Sequence, residues 1–114
     1  MTSMHAAIYA RSDGARSARS LQLQIDRGEA LASRLGIARH SVFTDEASGL
    51  PVEGGALYVR AGLVRLREAC ERGEIDTIIC ASPCRLSRDL KELEHIRHWA
   101  SIQQVRLRFL SDDI

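Results

Sequence analysis

The chain has 114 residues, a formal net charge of +1, 45% hydrophobic residues and 27% charged residues. This length predicts one domain with a substantial core, and the charge balance is not that of a strongly basic nucleic-acid protein. No apolar run is long enough to span a bilayer, and the first residues lack the basic start of a signal peptide. We therefore expect a cytoplasmic protein without membrane contact. The cysteine count of 3 is odd, which argues against a disulfide framework.

The positive charge is carried almost entirely by arginine, because Lys91 is the only lysine among 16 cationic residues. Arginine binds phosphate through two N–H groups at once, so this bias fits a protein that contacts phosphate. The codon usage of a GC-rich genome would produce the same bias, and composition alone leaves both explanations open.

The first predicted strand and helix bring two polar residues together. Residues 5–11 (HAAIYAR) form a compact apolar strand, and a loop rich in small residues follows. Ser20 is the predicted N-cap of the next helix, which Gly36 ends in the left-handed conformation. The buried stripe of this helix is predicted to contain Leu21, Ile25, Gly28, Ala32 and Leu35. Gln24 lies on the same apolar face, near the strand end that carries Arg11, and therefore needs a polar partner.

The middle of the chain predicts a second strand, a loop and another helix. The strand is expected at residues 41–43 (SVF), shortly before Asp45. Residues 49–55 contain glycine and proline without periodicity, which predicts a loop that covers or contacts something. Arg60 then precedes a helix that Gly73 ends. The buried stripe of that helix is predicted to contain Leu63, Leu66 and Cys70.

Residues 75–90 predict a buried strand that leads into a helix. The β-branched run at 77–79 (TII) is typical of such a strand, and Pro83 ends it because proline has no N–H for the ladder. Ser87 is the predicted N-cap of the helix that follows. The apolar positions of that helix recur at helical spacing: Leu90, Leu93, Ile96 and Ala100.

Two arginines, Arg85 and Arg88, would lie where this strand ends and the helix begins. The partial positive charge of a helix N-terminus disfavours a cation there by up to about 1 kcal/mol. An anion reverses that sign, because free N–H groups and two guanidinium groups together form a phosphate site. The alternative is that both arginines are solvated or paired with Asp89 and Glu92.

The alternation of strands and helices predicts an α/β fold, with a three-layer αβα architecture and a mostly parallel sheet of four to five strands. Residues 105–110 (VRLRFL) alternate in polarity and predict a last strand at or near an edge. The carboxyl ends of parallel strands share one rim, so several polar residues are expected to meet there. These residues are Arg11, Ser12, Asp45 and Arg85.

Taken together, these segments resemble the N-terminal catalytic domain of the serine recombinases, the resolvase and invertase family, from about residue 6 to residue 110. Five segments carry the resemblance in the family's order and spacing. They are residues 9–12 (YARS), 20–24 (SLQLQ), 43–49 (FTDEASG), 60–63 (RAGL) and 85–89 (RLSRD), the last being the most specific.

The resemblance implies a resolvase-like fold and an enzyme that cleaves and rejoins DNA through a 5′-phosphoserine intermediate, without metal, nucleotide or other cofactor. Ser12 would be the nucleophile, and Gln24 and Asp45 would orient the site. Guanidinium groups would stabilise the charge of the transition state: Arg11, Arg60, Arg85 and Arg88. The implied partners are DNA and further copies of the chain, as a homodimer or tetramer when full-length, with no small-molecule substrate.

The sequence departs from the family pattern in two places. The family places one residue between the arginine and its nucleophilic serine, so strict counting puts Asp13, not Ser12, at the nucleophile position. A shift of one residue in a strand turns a side chain to the other face. Cys84 stands where the family has an aspartate that is a candidate general acid.

These departures leave two interpretations open. One is an active serine recombinase catalytic domain over residues 1–114, without the family's dimerisation helix and DNA-binding domain. The other is a degenerate, non-catalytic recombinase-like domain that binds DNA or pairs with an active recombinase.

A metal site is a third hypothesis. Two cysteines and two histidines have loose zinc-like spacing: Cys80, Cys84, His95 and His98. However, Cys80 lies inside a predicted buried strand, and His95 follows Cys84 by about two helical turns, on the order of 10 Å. We therefore expect no metal.

Overall fold

The computed structural model describes residues 5–13, 17–47 and 61–112. Strands and helices alternate along the chain in this order: β1 (His5–Asp13), α1 (Ser17–Arg34), β2 (Arg39–Ala47), α2 (Ala61–Glu71), β3 (Thr77–Cys80), α3 (Pro83–Leu86), α4 (Leu90–Ile102) and β4 (Arg106–Phe109), followed by a 3₁₀ turn, Leu110–Asp112. Arg60 and the predicted loop at 49–55 lie outside the described residues.

The described strands form one parallel sheet in the order β2-β1-β3-β4. Strand β1 is central, and its nine residues pair in register with the nine residues of β2, from His5 with Arg39 to Asp13 with Ala47. Strand β4 lies at the edge, as its alternating polarity predicted. The α/β fold with a four-stranded parallel sheet is confirmed.

Helices cover both faces of the sheet, because successive side chains of β1 point to opposite sides. Ala7 and Tyr9 belong to a large apolar cluster with α2, α3 and α4, which we call the major cluster. Ala6 and Ile8 belong to a smaller one with α1, the minor cluster. Sheet and helices therefore make the three layers that the sequence predicted.

Two glycines end helices in the predicted way. Gly36 follows α1 with φ +72° and Gly73 follows α2 with φ +76°, a conformation that L side chains rarely adopt. The start of α1 differs from its prediction, because the helix begins at Ser17 and Ser20 lies within its first turns. The predicted stripe is also shifted: Leu31 is fully buried, whereas Ile25 and Leu35 are half-buried.

The predicted N-cap at Ser87 is wrong, because the chain first makes the short helix α3. Pro83 starts α3, since its fixed φ suits the first helical position. Asp89 is the N-cap of α4, and its carboxylate accepts a hydrogen bond from Lys91 N at 2.9 Å. Ser87 instead bonds the main chain of Asp89, accepting from its N–H and donating to its carbonyl oxygen at 3.1 Å each.

Strand β2 is longer than the predicted residues 41–43, because it continues to pair with β1 beyond its apolar part. Asp45 therefore lies within a strand rather than in a loop after it. No helix among the described residues has the length and apolar character needed to cross a membrane.

Candidate functional site at the carboxyl end of β1

Two adjacent polar residues are buried at the carboxyl end of the central strand. Arg11 is 4% exposed and Ser12 is 1% exposed. Arg11 is opposite Asp45 in the β1–β2 register. By strand alternation Arg11 shares the face of Tyr9 and the major cluster, whereas Ser12 shares the face of Ile8 and the minor cluster.

The side-chain amide of Gln24, on α1, binds both the N–H and the carbonyl oxygen of Arg11. Arg11 N donates to Gln24 Oε1 at 3.2 Å, and Gln24 Nε2 donates to Arg11 O at 2.9 Å. The same Nε2 lies 3.2 Å from Ser20 Oγ, to which it also donates. The sequence predicted that Gln24 needs a polar partner, and the structure identifies that partner as the backbone of Arg11.

Two guanidinium groups tie the end of β1 to α3. Arg11 Nη2 donates to Cys84 O at 2.6 Å, and Arg85 Nη1 donates to Arg11 O at 3.4 Å. Both arginines therefore hold carbonyl oxygens, and Arg11 O receives bonds from both Arg85 and Gln24. The structure brings together three of the predicted site residues here: Arg11, Gln24 and Arg85.

Two buried polar atoms at this place have no hydrogen-bond partner among the described residues: Arg11 Nε and Ser12 Oγ. Burying a polar group without a partner costs about 1 to 3 kcal/mol, so such atoms are uncommon in folded proteins. Their occurrence on two consecutive residues is the reason for treating this strand end as the candidate site.

Asp45 has a different setting from Arg11, since its carboxylate faces the start of α2. Asp45 Oδ1 accepts from Gly62 N at 2.7 Å, and Oδ2 accepts from Leu63 N at 3.0 Å and from the Tyr9 hydroxyl at 2.6 Å. A carboxylate is favoured there by the free N–H groups and the positive end of the helix dipole.

Two residues of this arrangement were missed from the sequence. Tyr9 is fully buried, and its hydroxyl needs a hydrogen-bond partner, which is the signal that could have paired it with a carboxylate. Gly62 allows the start of α2 to approach β2 closely, because a Cβ there would lie 2.2 Å from Thr44 O. Asp45 thus fixes the residues that directly follow Arg60.

Of the remaining predicted site residues, Cys84 joins this arrangement through its main chain, because its carbonyl oxygen accepts from Arg11 Nη2. Arg88 is exposed between α3 and α4. Asp13 is the last residue of β1 and pairs with Ala47 in the β1–β2 register. Cys84 is exposed, and its Sγ lies 3.1 Å from Ser82 Oγ.

The residues of the hypothetical metal site differ in their exposure to solvent. Cys80 is 1% exposed within β3, whereas His95 and His98 are exposed on α4. Across the ranges that the structure describes, no group of three or more His, Cys, Asp or Glu side chains is placed to hold a metal ion.

Comparison with known proteins gives one family and several similar structures. The family model described as "Resolvase, N terminal domain" matches residues 6–114. The C-terminal catalytic domain of ISC1926 TnpA, an IS607-like serine recombinase, is similar with 27% identity and a TM-score of 0.80, over 94% of this chain and 70% of that one. No curated protein matches by sequence.

Two further solved structures are similar in fold. The N-terminal catalytic domain of TP901-1 integrase has 24% identity and a TM-score of 0.77, over 96% of this chain and 79% of that one. A resolvase family site-specific recombinase from Streptococcus pneumoniae has 17% identity and a TM-score of 0.79, over 97% of this chain and 74% of that one.

Proposed function

Because the chain belongs to the resolvase family of serine recombinases, we propose that it is a catalytic domain that cleaves and rejoins DNA. Ser12 is the proposed nucleophile. Its Oγ bonds to the phosphorus of a DNA phosphodiester, the 3′ oxygen leaves and takes up a proton, and a 5′-phosphoserine link remains. Attack by the 3′ hydroxyl of another DNA end reverses the step and rejoins the strands.

The proposal gives the arginines the task of stabilising negative charge on the phosphoryl oxygens. The hydrogen bond from Arg85 Nη1 to Arg11 O at the end of β1 supports a shared role for these two. Arg60 and Arg88 complete the proposed set, and Asp45 acts as a positioning residue by holding the start of α2. Gln24 positions Arg11 through its main chain.

The observation that carries the proposal is the pair of unpartnered buried atoms, Arg11 Nε and Ser12 Oγ. The two side chains leave β1 toward opposite faces of the sheet, so they meet at one phosphate only after the end of β1 rearranges. The unpartnered N–H is then available to the phosphate and the hydroxyl to attack it. A merely structural strand end would satisfy such atoms within the protein.

Ser12 must become exposed before it can attack, because only 1% of its surface is accessible in this structure. The proposal therefore includes a local rearrangement at the end of β1 that precedes cleavage. We propose that DNA and a second copy of the chain, in a dimer or tetramer, favour the rearranged state. The isolated chain should accordingly cleave slowly.

The test is the covalent protein–DNA adduct. The protein is incubated with a library of nicked, pre-aligned duplexes of varied sequence, and the adduct is separated on a denaturing gel and mapped by mass spectrometry. We expect a phosphoserine link at Ser12 that Ser12→Ala abolishes. The matched control is Ser101→Ala, which removes an exposed hydroxyl on α4 and should leave adduct formation unchanged.

Two outcomes would overturn the proposal. An adduct that persists in Ser12→Ala would assign the nucleophile elsewhere. DNA binding that weakens with salt but yields no adduct from any duplex would instead indicate the non-catalytic, recombinase-like domain.

A further inference from the structure

A cavity of about 570 Å³ lies beside α1, on the face of the sheet that carries the minor cluster. This volume is within the range of about 300 to 1,000 Å³ that small-molecule sites occupy. Its apolar wall includes Leu23 and Ala30 from α1 and Leu110 from the 3₁₀ turn. Leu23 is 49% exposed, so its apolar surface is accessible to an occupant of the cavity.

The cavity is also strongly basic. Three arginines line it: Arg27, Arg34 and Arg85. No acidic side chain is among the lining residues within the described ranges. Leu23, Arg27, Ala30 and Arg34 follow each other at intervals of three or four residues, so they form one stripe along α1. A guanidinium group can bind a carboxylate, sulfonate or phosphate through two N–H groups at once.

We propose that this cavity binds a small amphipathic anion, with its ring or alkyl body against Leu23, Ala30 and Leu110. The anionic group lies among the arginines. Size, apolar wall and charge all select this class of ligand over a neutral or cationic one. The proposal does not depend on DNA cleavage, since binding is measured on the free protein.

The occupant would lie next to the residues that hold the end of β1. Gln24 and Arg85 line the cavity, and both bind the main chain of Arg11. A ligand in the cavity therefore contacts Gln24, which positions Arg11, and Arg85, which the proposed function assigns to the phosphate. An anion bound there therefore acts on the residues that hold the end of β1, on the same face of the sheet as Ser12.

The test compares two fluorescent probes that share one aromatic body. 1-Anilinonaphthalene-8-sulfonate carries a sulfonate, and N-phenyl-1-naphthylamine lacks it. We expect the sulfonate probe to bind one molecule per chain, with a dissociation constant at least tenfold lower than that of the neutral probe at low salt. Added salt should reduce this difference, because it screens the arginines.

Variants locate the bound probe. Arg27→Gln combined with Arg34→Gln should raise the dissociation constant of the sulfonate probe at least tenfold and leave that of the neutral probe unchanged. Ala30→Trp should weaken both probes by filling the cavity. The matched control is Arg65→Gln combined with Arg97→Gln, which removes two exposed helical arginines that do not line the cavity and should change neither constant.

Equal affinity of the wild-type protein for the two probes would overturn the proposal, and this comparison needs no variant to fold. Preference for the sulfonate that survives the Arg27 and Arg34 substitutions would also overturn it, by placing the probe elsewhere.

Discussion

The two faces of the sheet are built differently. Among the described residues, the major cluster contains 15 buried side chains, including Leu66 and Trp99. They come from three helices, from β1, β3 and β4, and from Ile75 and Val105, which precede β3 and β4. The minor cluster contains five, supplied by β1, β3 and α1. We call the face with the major cluster the thick face and the face with the minor cluster the thin face. On the thin face, polar and close backbone contacts add to the few apolar ones: Gln24 binds the Arg11 main chain, and Gly28 lets α1 approach Ile8.

This difference predicts that the thick face is the more rigid of the two and that the thin face rearranges more readily. The thick face fixes Asp45 and the start of α2 through a buried tyrosine, whereas the thin face contains the cavity and the buried Ser12. The candidate site lies between them, because Arg11 points toward one face and Ser12 toward the other. The proposed movement of Ser12 would therefore change the thin face while the thick face remains packed.

Truncating one leucine on each face is the strongest way to test this comparison. Leu66 is 0% exposed in the major cluster and Leu31 is 1% exposed in the minor cluster. We expect Leu66→Ala to lower the free energy of unfolding by about 4 kcal/mol and Leu31→Ala by about 2.5 kcal/mol, because the thin face can relax toward its cavity. Denaturant unfolding measures both values.

Leu90→Ala is the control for this pair, since Leu90 is 75% exposed and its truncation should change stability by less than about 0.5 kcal/mol. Equal losses for Leu66→Ala and Leu31→Ala would mean that the two faces are equally rigid, and the comparison would fail.

Adding one methyl group to a glycine on each side gives a second, smaller contrast. A Cβ at Gly62 would lie 2.2 Å from the backbone oxygen of Thr44, whereas one at Gly28 would lie 2.6 Å from the side chain of Ile8. We expect Gly62→Ala to cost about 3 kcal/mol, because backbone must move and the Asp45 bonds weaken. Gly28→Ala should cost about 1 kcal/mol, since Ile8 can shift and alanine favours the helix.

Thermal and denaturant unfolding distinguish these two variants. A larger loss in Gly28→Ala than in Gly62→Ala would show that α1 is held more tightly to the sheet than α2, opposite to what the packing indicates.

A contrast of a different kind concerns the pH dependence of the thick face. Burial, together with the neighbouring Glu71, raises the pKa of Cys70 to about 12 from its usual 9.0. Between these values the unfolded chain loses the thiol proton and the folded chain keeps it, so stability falls as pH rises. The slope is at most about 1.4 kcal/mol per pH unit.

Cys70→Ala isolates this contribution, because all other titrating groups are shared with the wild type. We expect the wild type to be more stable by about 1 to 2 kcal/mol at pH 8 and this advantage to shrink above pH 9. Unfolding curves at several pH values measure the difference. A constant advantage up to pH 11 would contradict the raised pKa.

Much of the fold could be predicted from the sequence, because apolar runs, helical periodicity and the two helix-ending glycines are local signals. The β-branched run at 77–79 gave β3, and Gly36 and Gly73 gave the ends of α1 and α2. Helix starts were harder to predict. Ser87 and Asp89 are both good caps, and only the extra turn made by Pro83 decides between them.

The site was predictable in its residues and less so in its contacts. That Gln24 and Arg11 meet followed from their places on a helix face and a strand end. That Asp45 binds Tyr9 and α2 could not follow, because it depends on how far β2 extends and how closely α2 approaches. The burial of Ser12 likewise depends on tertiary packing that no local pattern encodes.

Arg11 binds α3 through a peptide oxygen, that of Cys84, and not through a side chain. Every amino acid supplies this oxygen, so the guanidinium would be oriented in the same way whatever residue occupied position 84. The hydrogen bond from Arg11 is therefore insensitive to mutation of residue 84. A substitution at position 84 can therefore change the side chain there while leaving the arginine in place.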